Sequence, residues 1–167
     1  EWTLQSSSGT SSKNDVSASL FSFNLGYKPY GIDFLNSVSL GLDRISGDDS
    51  STETAEGFSK EFGARHKHHG FYDYNLHKKY FGHGHDGLNE INAKANIDIL
   101  KRTNLLVALH NFKSAVKDIY YGREVNFIFK TKHNDEVASE IGSVFYFPDQ
   151  GDEKTLPFFY LMITAGF

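Results

Sequence analysis

From Phe159 to Phe167 the apolar residues keep to one parity. Phe159, Leu161, Ile163, Ala165 and Phe167 alternate with Tyr160, Met162, Thr164 and Gly166. A strand repeats every two residues, so this pattern predicts a strand with one continuous apolar face. The same period recurs upstream. Ile91, Ala93, Ala95, Ile97 and Ile99 oppose Asn92, Lys94, Asn96 and Asp98, while Val38, Leu40 and Leu42 oppose Ser37, Ser39, Gly41 and Asp43. Val125, Phe127 and Phe129 oppose Glu124, Asn126, Ile128 and Lys130, and Val137, Ile141, Phe145 and Phe147 oppose Glu140, Gly142 and Tyr146. Phe21, Phe23, Leu25 and Tyr27 oppose Ser22, Asn24, Gly26 and Lys28. The stretch 104–112 is nearly apolar on both faces, with Ala108 and His110 as an inward set, and Trp2 and Leu4 begin a first strand. Together these predict eight strands and an all-β, antiparallel chain.

Two features turn the pattern towards a transmembrane β-barrel. The polar faces are rich in Asn, Ser and Gly, whereas a solvated sheet surface favours long charged side chains. The apolar faces become aromatic near strand ends (Tyr27, Phe145, Phe147, Phe159, Phe167), where membrane barrels carry interfacial girdles. The connections also alternate in length. Links 29–34, 101–104 and 132–136 are short, whereas 46–88 (43 residues), 114–121 and 148–155 are longer. One rim of short turns and one of long loops is the pattern of outer-membrane barrels. With Phe167 on the periplasmic side every short turn falls there too, and the strand number is even. The expectation is one barrel or half-barrel domain over residues 1–167, with 46–88 as an extracellular or lumen-folded loop. Its location would be the bacterial outer membrane, among outer-membrane lipids. Phe159, Leu161, Ile163, Ala165 and Phe167 would form the signal read by the barrel-assembly machinery. The rival reading is a soluble, secreted β-sandwich that binds carbohydrate, since a half-buried antiparallel sheet has the same period.

Composition removes other classes. A mean hydropathy of −0.44 is compatible with alternating strands, whose two faces average out. The net charge of −4, evenly mixed, argues against a nucleic-acid partner. With no cysteine there is neither a disulfide framework nor a thiolate metal site. The sequence opens at Glu1 with neither an initiator Met nor a charged-then-apolar leader pattern, so the expectation is a mature product or a fragment. No serine sits in a nucleophile elbow, and Asp48, Asp49, Glu53 and Glu56 form a loop run without acid–base pairing, so no enzyme is expected.

Particular motifs resemble the alginate export family of outer-membrane porins. Gly41–Leu42–Asp43 closes a strand, Ser46–Gly47–Asp48–Asp49 follows, and after a variable stretch come Arg65–His66–Lys67 and Gly70–Phe71–Tyr72–Asp73. The likeness continues through 104–112, 122–132, Phe145–Tyr146–Phe147–Pro148 and Phe158–Phe159–Tyr160–Leu161, in order over roughly two thirds of the chain. The chain departs from the family at His68–His69, where the family more often has an aromatic residue. The resemblance implies a passive channel for an anionic polysaccharide or sugar acid. It also implies a wide barrel of which this chain is the carboxy-terminal half, because eight strands alone enclose a lumen filled by side chains. A self-closed eight-stranded barrel is the second choice. Lys28, Lys94 and Lys130 on inward parity, with Arg65 and Lys67, would lower the barrier for anions, while Asp43, Asp98, Glu124 and Glu140 oppose them.

Six of the eight histidines lie between His66 and His85: His66, His68, His69, His77, His83 and His85. Such density permits a zinc or copper site, with His66, His68, His69, His83 and His85 as candidate ligands. Their spacing matches no compact metal template, so the reading is a polar, pore-lining loop with no cofactor.

Overall fold

The computed structural model describes residues 1–7, 15–49, 51–59, 69–72, 84–149 and 154–166. Among them are eight strands: β1 (Trp2–Ser7), β2 (Val16–Tyr27), β3 (Leu35–Ile45), β4 (Leu88–Leu100), β5 (Thr103–Lys113), β6 (Tyr120–Lys132), β7 (Val137–Pro148) and β8 (Leu156–Ala165). They form one antiparallel sheet in sequence order, with β1 and β8 at its edges. Each segment with period two has become a strand, with ends moved by a few residues at most.

The alternation is also the burial pattern. On the outer face Leu4, Phe23, Leu40, Ile91, Leu109, Phe129, Ile141 and Leu161 are exposed, one from each strand, and Ile163 is 67% exposed. On the inner face Ala18, Ile45, Leu88, Phe112, Ile128 and Val144 are buried. So are polar groups: Asp43, Glu90, Asn92, His110, Glu124 and Asn126. This inverts the soluble arrangement, in which an antiparallel sheet packs its apolar face and wets its polar one.

Short connections (28–34, 101–102, 133–136) lie at one end of the sheet and longer ones (8–15, 46–87, 114–119, 149–155) at the other. Local chemistry shapes the short ones. Gly31 takes a φ of 80° that L-residues resist, and the Asn134 side-chain oxygen accepts the amides of Glu136 (2.9 Å) and Val137 (2.6 Å) in an Asx turn. Near the long-loop end a bulge interrupts the β5–β6 ladder between Phe112 and Lys113. Gly122 there has φ 141°, and Tyr121 and Gly122 are consecutive yet both buried. The bulge carries the Tyr121 hydroxyl to the Gly87 carbonyl at 3.1 Å and its own carbonyl to the Tyr146 hydroxyl at 2.6 Å.

An apolar cluster caps the inner face at that end: Ala18, Ile45, Phe58, Leu88, Phe112, Tyr121 and Tyr146, with Leu20, Tyr72, Ile119 and Leu156 against it. Phe58 and Tyr72 come from the 46–87 link, so part of that link lies on the inner face. Asp48 ties its segments together. One carboxylate oxygen accepts the Glu56 (2.5 Å) and Gly57 (2.6 Å) amides, the other that of Gly84, while the Asp48 amide donates to the His85 carbonyl (2.7 Å). Gln5 of β1 holds both the carbonyl and the amide of Ser59, at 2.6 and 2.9 Å.

Candidate functional site

Beneath the apolar cap the inner face turns polar, and the strand register determines which groups meet. Asp43 of β3 stands opposite Glu90 of β4, Asn92 opposite His110 of β5, and His110 opposite Glu124 of β6. Cross-strand neighbours on one face have Cβ atoms about 4.5–5.5 Å apart, so these side chains must interact. Gly41, between Asn24 and Asn92 in register, leaves the space their amides occupy.

Glu90 is the centre, only 1% exposed. Its Oε1 accepts from the Asn92 amide at 3.1 Å and lies 2.6 Å from His110 Nδ1. Its Oε2 lies 2.6 Å from Nδ1 of His69, which the 46–87 link brings in from above. His69 Nδ1 also approaches Asp43 Oδ2 at 3.8 Å. Asp43 is 6% exposed, and its Oδ1 has no hydrogen-bond partner among the described residues. A carboxylate is stable in such a place only when paired or coordinated, since stripping its hydration costs several kcal/mol (roughly).

The same loop segment is seated on a second carboxylate. Glu124 Oε1 accepts the Phe71 amide at 2.6 Å and Oε2 the Tyr72 amide at 3.0 Å. Gly70, at φ 81°, packs directly on that carboxylate and has no room for a Cβ. Tyr72 then stacks on Tyr146 (5.4 Å between centroids, 4° between planes) and Phe71 on Tyr160 (5.8 Å, 16°). Residues 69–72 thus bind the sheet by two amides, one imidazole and two rings.

Towards the short-turn end the inner face opens into a cavity of about 600 Å³, whose walls include Asp98, Lys130, Glu140, Met162 and Thr164. There Glu140 accepts from the Tyr160 hydroxyl at 2.5 Å and pairs with Lys130 at 3.0 Å.

Among the described residues, the basic side chains singled out from sequence (Lys28, Lys94 and Lys130) are not gathered into one ring. Lys130 is on the inner face but ion-paired. Lys94 is a half-buried inner-face residue between Ser39 and Ala108, whereas Lys28 lies exposed just past the end of β2. Arg65 and Lys67 lie outside the described residues, as do His66, His68 and His83. Of the histidine candidates, His69 enters the cluster, and His85 is half-buried with its carbonyl engaged by Asp48. Phe159, Leu161, Ile163 and Ala165 share the exposed outer face of β8; Phe167 lies outside the described residues. Glu90 was not singled out, although its parity with Asn92 extends the alternation of β4 by one step.

Comparisons with protein-family models, with curated proteins and with solved structures return no match, so the likeness to the alginate export porins rests on the motifs of the chain alone.

Proposed function

We propose that this sheet spans the bacterial outer membrane as part or all of a β-barrel and lines a channel for hydrophilic solutes, with the 46–87 link as its plug. The observation that carries this reading is the inversion of the sheet. Eight strands about 4.8 Å apart make a face roughly 34 Å wide that is apolar from edge to edge and exposed. Soluble monomers rarely expose apolar patches beyond about 300–600 Å². Aromatic residues flank this face. Tyr27 and Phe34 stand near the short-turn end, and Phe147 and the cross-strand pair Trp2–Phe21 stand nearer the other. Phe21 and Tyr27 are six residues apart on β2, or about 20 Å along the strand.

A soluble sandwich would need a second sheet packed on the first, and the described strands form one. The barrel width favoured here exceeds eight strands. A closed eight-stranded lumen is filled by its own side chains, whereas this inner face also accommodates Phe58 and residues 69–72. Inner-face positions next to the edges remain open, with Phe158 43% exposed. Extra strands would cover them.

The solute implied by resemblance is an anionic polysaccharide or sugar acid. The described inner face supports passage of polar solutes more than selection of anions, because Asp43, Glu90, Glu124 and Glu140 stand beside Lys94 and Lys130. The test is extraction followed by reconstitution. The chain should require detergent and run heat-modifiably on a gel, and its proteoliposomes should swell in sugar solutions. A protein that stays in buffer and leaves liposomes tight overturns the reading. Reversal potentials in salt gradients then decide the preferred sign of charge.

A further inference from the structure

We propose that Asp43, His69 and Glu90 form a binding site for one divalent first-row transition metal, of which Zn²⁺ is the representative, and that the ion fastens the 46–87 link to the sheet. One ligand atom from each of the three residues lies within 4.8 Å of the others, and all three side chains are buried. In a tetrahedral zinc site with bonds of about 2.0–2.2 Å the donors are about 3.4 Å apart. His69 Nδ1 is 2.6 Å from Glu90 Oε2 and 3.8 Å from Asp43 Oδ2. Small side-chain rotations that widen the first distance and shorten the second bring the set to that geometry.

Three independent features point to a cation here. Asp43 and Glu90 are direct cross-strand partners on the same buried face, an arrangement of like charges that destabilises a sheet unless something neutralises it. Asp43 Oδ1 is buried without a hydrogen-bond partner among the described residues, so the cluster has an acceptor to spare. Glu90 is also oriented as a metal-ligating carboxylate would be. Its Oε1 is held by His110 and Asn92, which leaves Oε2 towards His69. Such outer contacts are what orient ligands in metal sites. Two carboxylates and one neutral imidazole carry a charge of −2, which a divalent ion balances. The mixed nitrogen and oxygen set suits zinc and its neighbours rather than calcium, which takes oxygen ligands alone. A fourth position is left for water. Because His69 comes from the long link and the carboxylates from β3 and β4, the ion would close a loop-to-wall crosslink. The inference is independent of whether the sheet conducts solutes.

The experiment uses the full chain, purified in detergent, stripped with EDTA and titrated with Zn²⁺ against a chromophoric chelator. One tight equivalent is expected. His69→Ala and Asp43→Asn should abolish it, and His110→Gln, which removes an outer contact, should weaken it by about 10- to 100-fold. A variant with His66, His68, His83 and His85 all replaced by Ala should retain it. Substitution of Co²⁺ into the unmutated protein gives a second readout that does not depend on variants folding. Its visible and X-ray absorption spectra should report one imidazole among oxygen ligands. No tight equivalent in the unmutated protein overturns the proposal. So does a tight equivalent that survives in Asp43→Asn or His69→Ala and disappears when the four loop histidines are replaced, or a cobalt spectrum with several imidazoles.

Discussion

The ring of Tyr160 lies across Gly142, its partner in the β7–β8 register, and fills the space that any side chain at position 142 would need. The glycine therefore determines where Tyr160 can lie, and Tyr160 in turn holds two other things in place. Its hydroxyl donates to Glu140, which pairs with Lys130, and its ring carries Phe71 of the long link. A glycine that is unfavourable in a strand by itself here connects the edge strand, the cavity wall and the long link.

Gly142→Ala should consequently destabilise the protein by about 1–3 kcal/mol, the range for overpacking a filled site, although alanine suits strands better than glycine. Urea unfolding monitored by tyrosine fluorescence in detergent would measure it. Tyr160→Ala in the Gly142→Ala background should add less than it costs alone, because the two changes share one contact. Strictly additive costs would mean that the ring and the glycine do not act together.

The seat of residues 69–72 makes a separate prediction. Glu124 receives the amides of Phe71 and Tyr72, so Glu124→Ala leaves two partly buried donors unpartnered. The segment should lose about 1–3 kcal/mol of its attachment. Hydrogen exchange at those two amides should accelerate more than tenfold while exchange in β4 and β5 stays slow. In planar bilayers the conductance should rise. Gly70→Ala should act in the same direction, since its φ of 81° and the adjacent carboxylate both exclude a Cβ. Unchanged exchange in both variants would mean that the segment is held by its rings and the His69 imidazole, without the Glu124 carboxylate.

Facing can be tested on one strand. Ala95 pairs with Val38 and Val107 on the outer face, and Asn96 donates to Ser37 at 3.0 Å on the inner face. On the proposed reading Ala95→Arg would place a cation in lipid and should cost about 2–4 kcal/mol near the midplane. Asn96→Arg should cost far less, because on the proposed reading it faces an aqueous lumen. Equal tolerance at the two positions would remove the membrane assignment of this sheet.

These contrasts show what can be read from sequence and what cannot. Period two is a local property, so Ile91, Ala93 and Ala95 disclose the outer face of β4 without any knowledge of its neighbours. The inner-face cluster depends on register and on a link that has no period. Asp43 and Glu90 are 47 positions apart in the chain, and only the closing of the β3–β4 pair sets them opposite. His69 reaches them through a segment whose course follows from single contacts at Glu124, Tyr146 and Tyr160. The histidine-rich stretch is visible in sequence. That one histidine meets two buried carboxylates is not, because the carboxylates lie on strands and the other histidines compete for attention within the stretch. At Lys28 the parity extends the inward set of β2, whereas the strand stops at Tyr27 and the residue is exposed just beyond it.

The last strand supplies the final prediction. Phe159, Leu161, Ile163 and Ala165 share the outer face of β8, whose described ladder pairs it with β7 on one side only. On the proposed barrel reading a charge at Ile163 would therefore fall on an edge strand that faces lipid and, before insertion, the assembly machinery. Ile163→Glu should sharply reduce the membrane-inserted, heat-modifiable form in cells, with unassembled chain degraded. Thr164→Glu, on the opposite face beside Ala138, should insert nearly as well as the parent. Refolding from urea into detergent should separate two causes. If assembly fails because the outer face is misread in the cell, Ile163→Glu should still refold in vitro, since position 163 lies near the strand end, where a charge costs only about 0–1 kcal/mol. If failure is thermodynamic, refolding should fail in parallel. A soluble sheet predicts neither result: Ile163 is 67% exposed, so in water a charge there would be harmless, and normal yields of Ile163→Glu in the soluble fraction would defeat the outer-membrane reading.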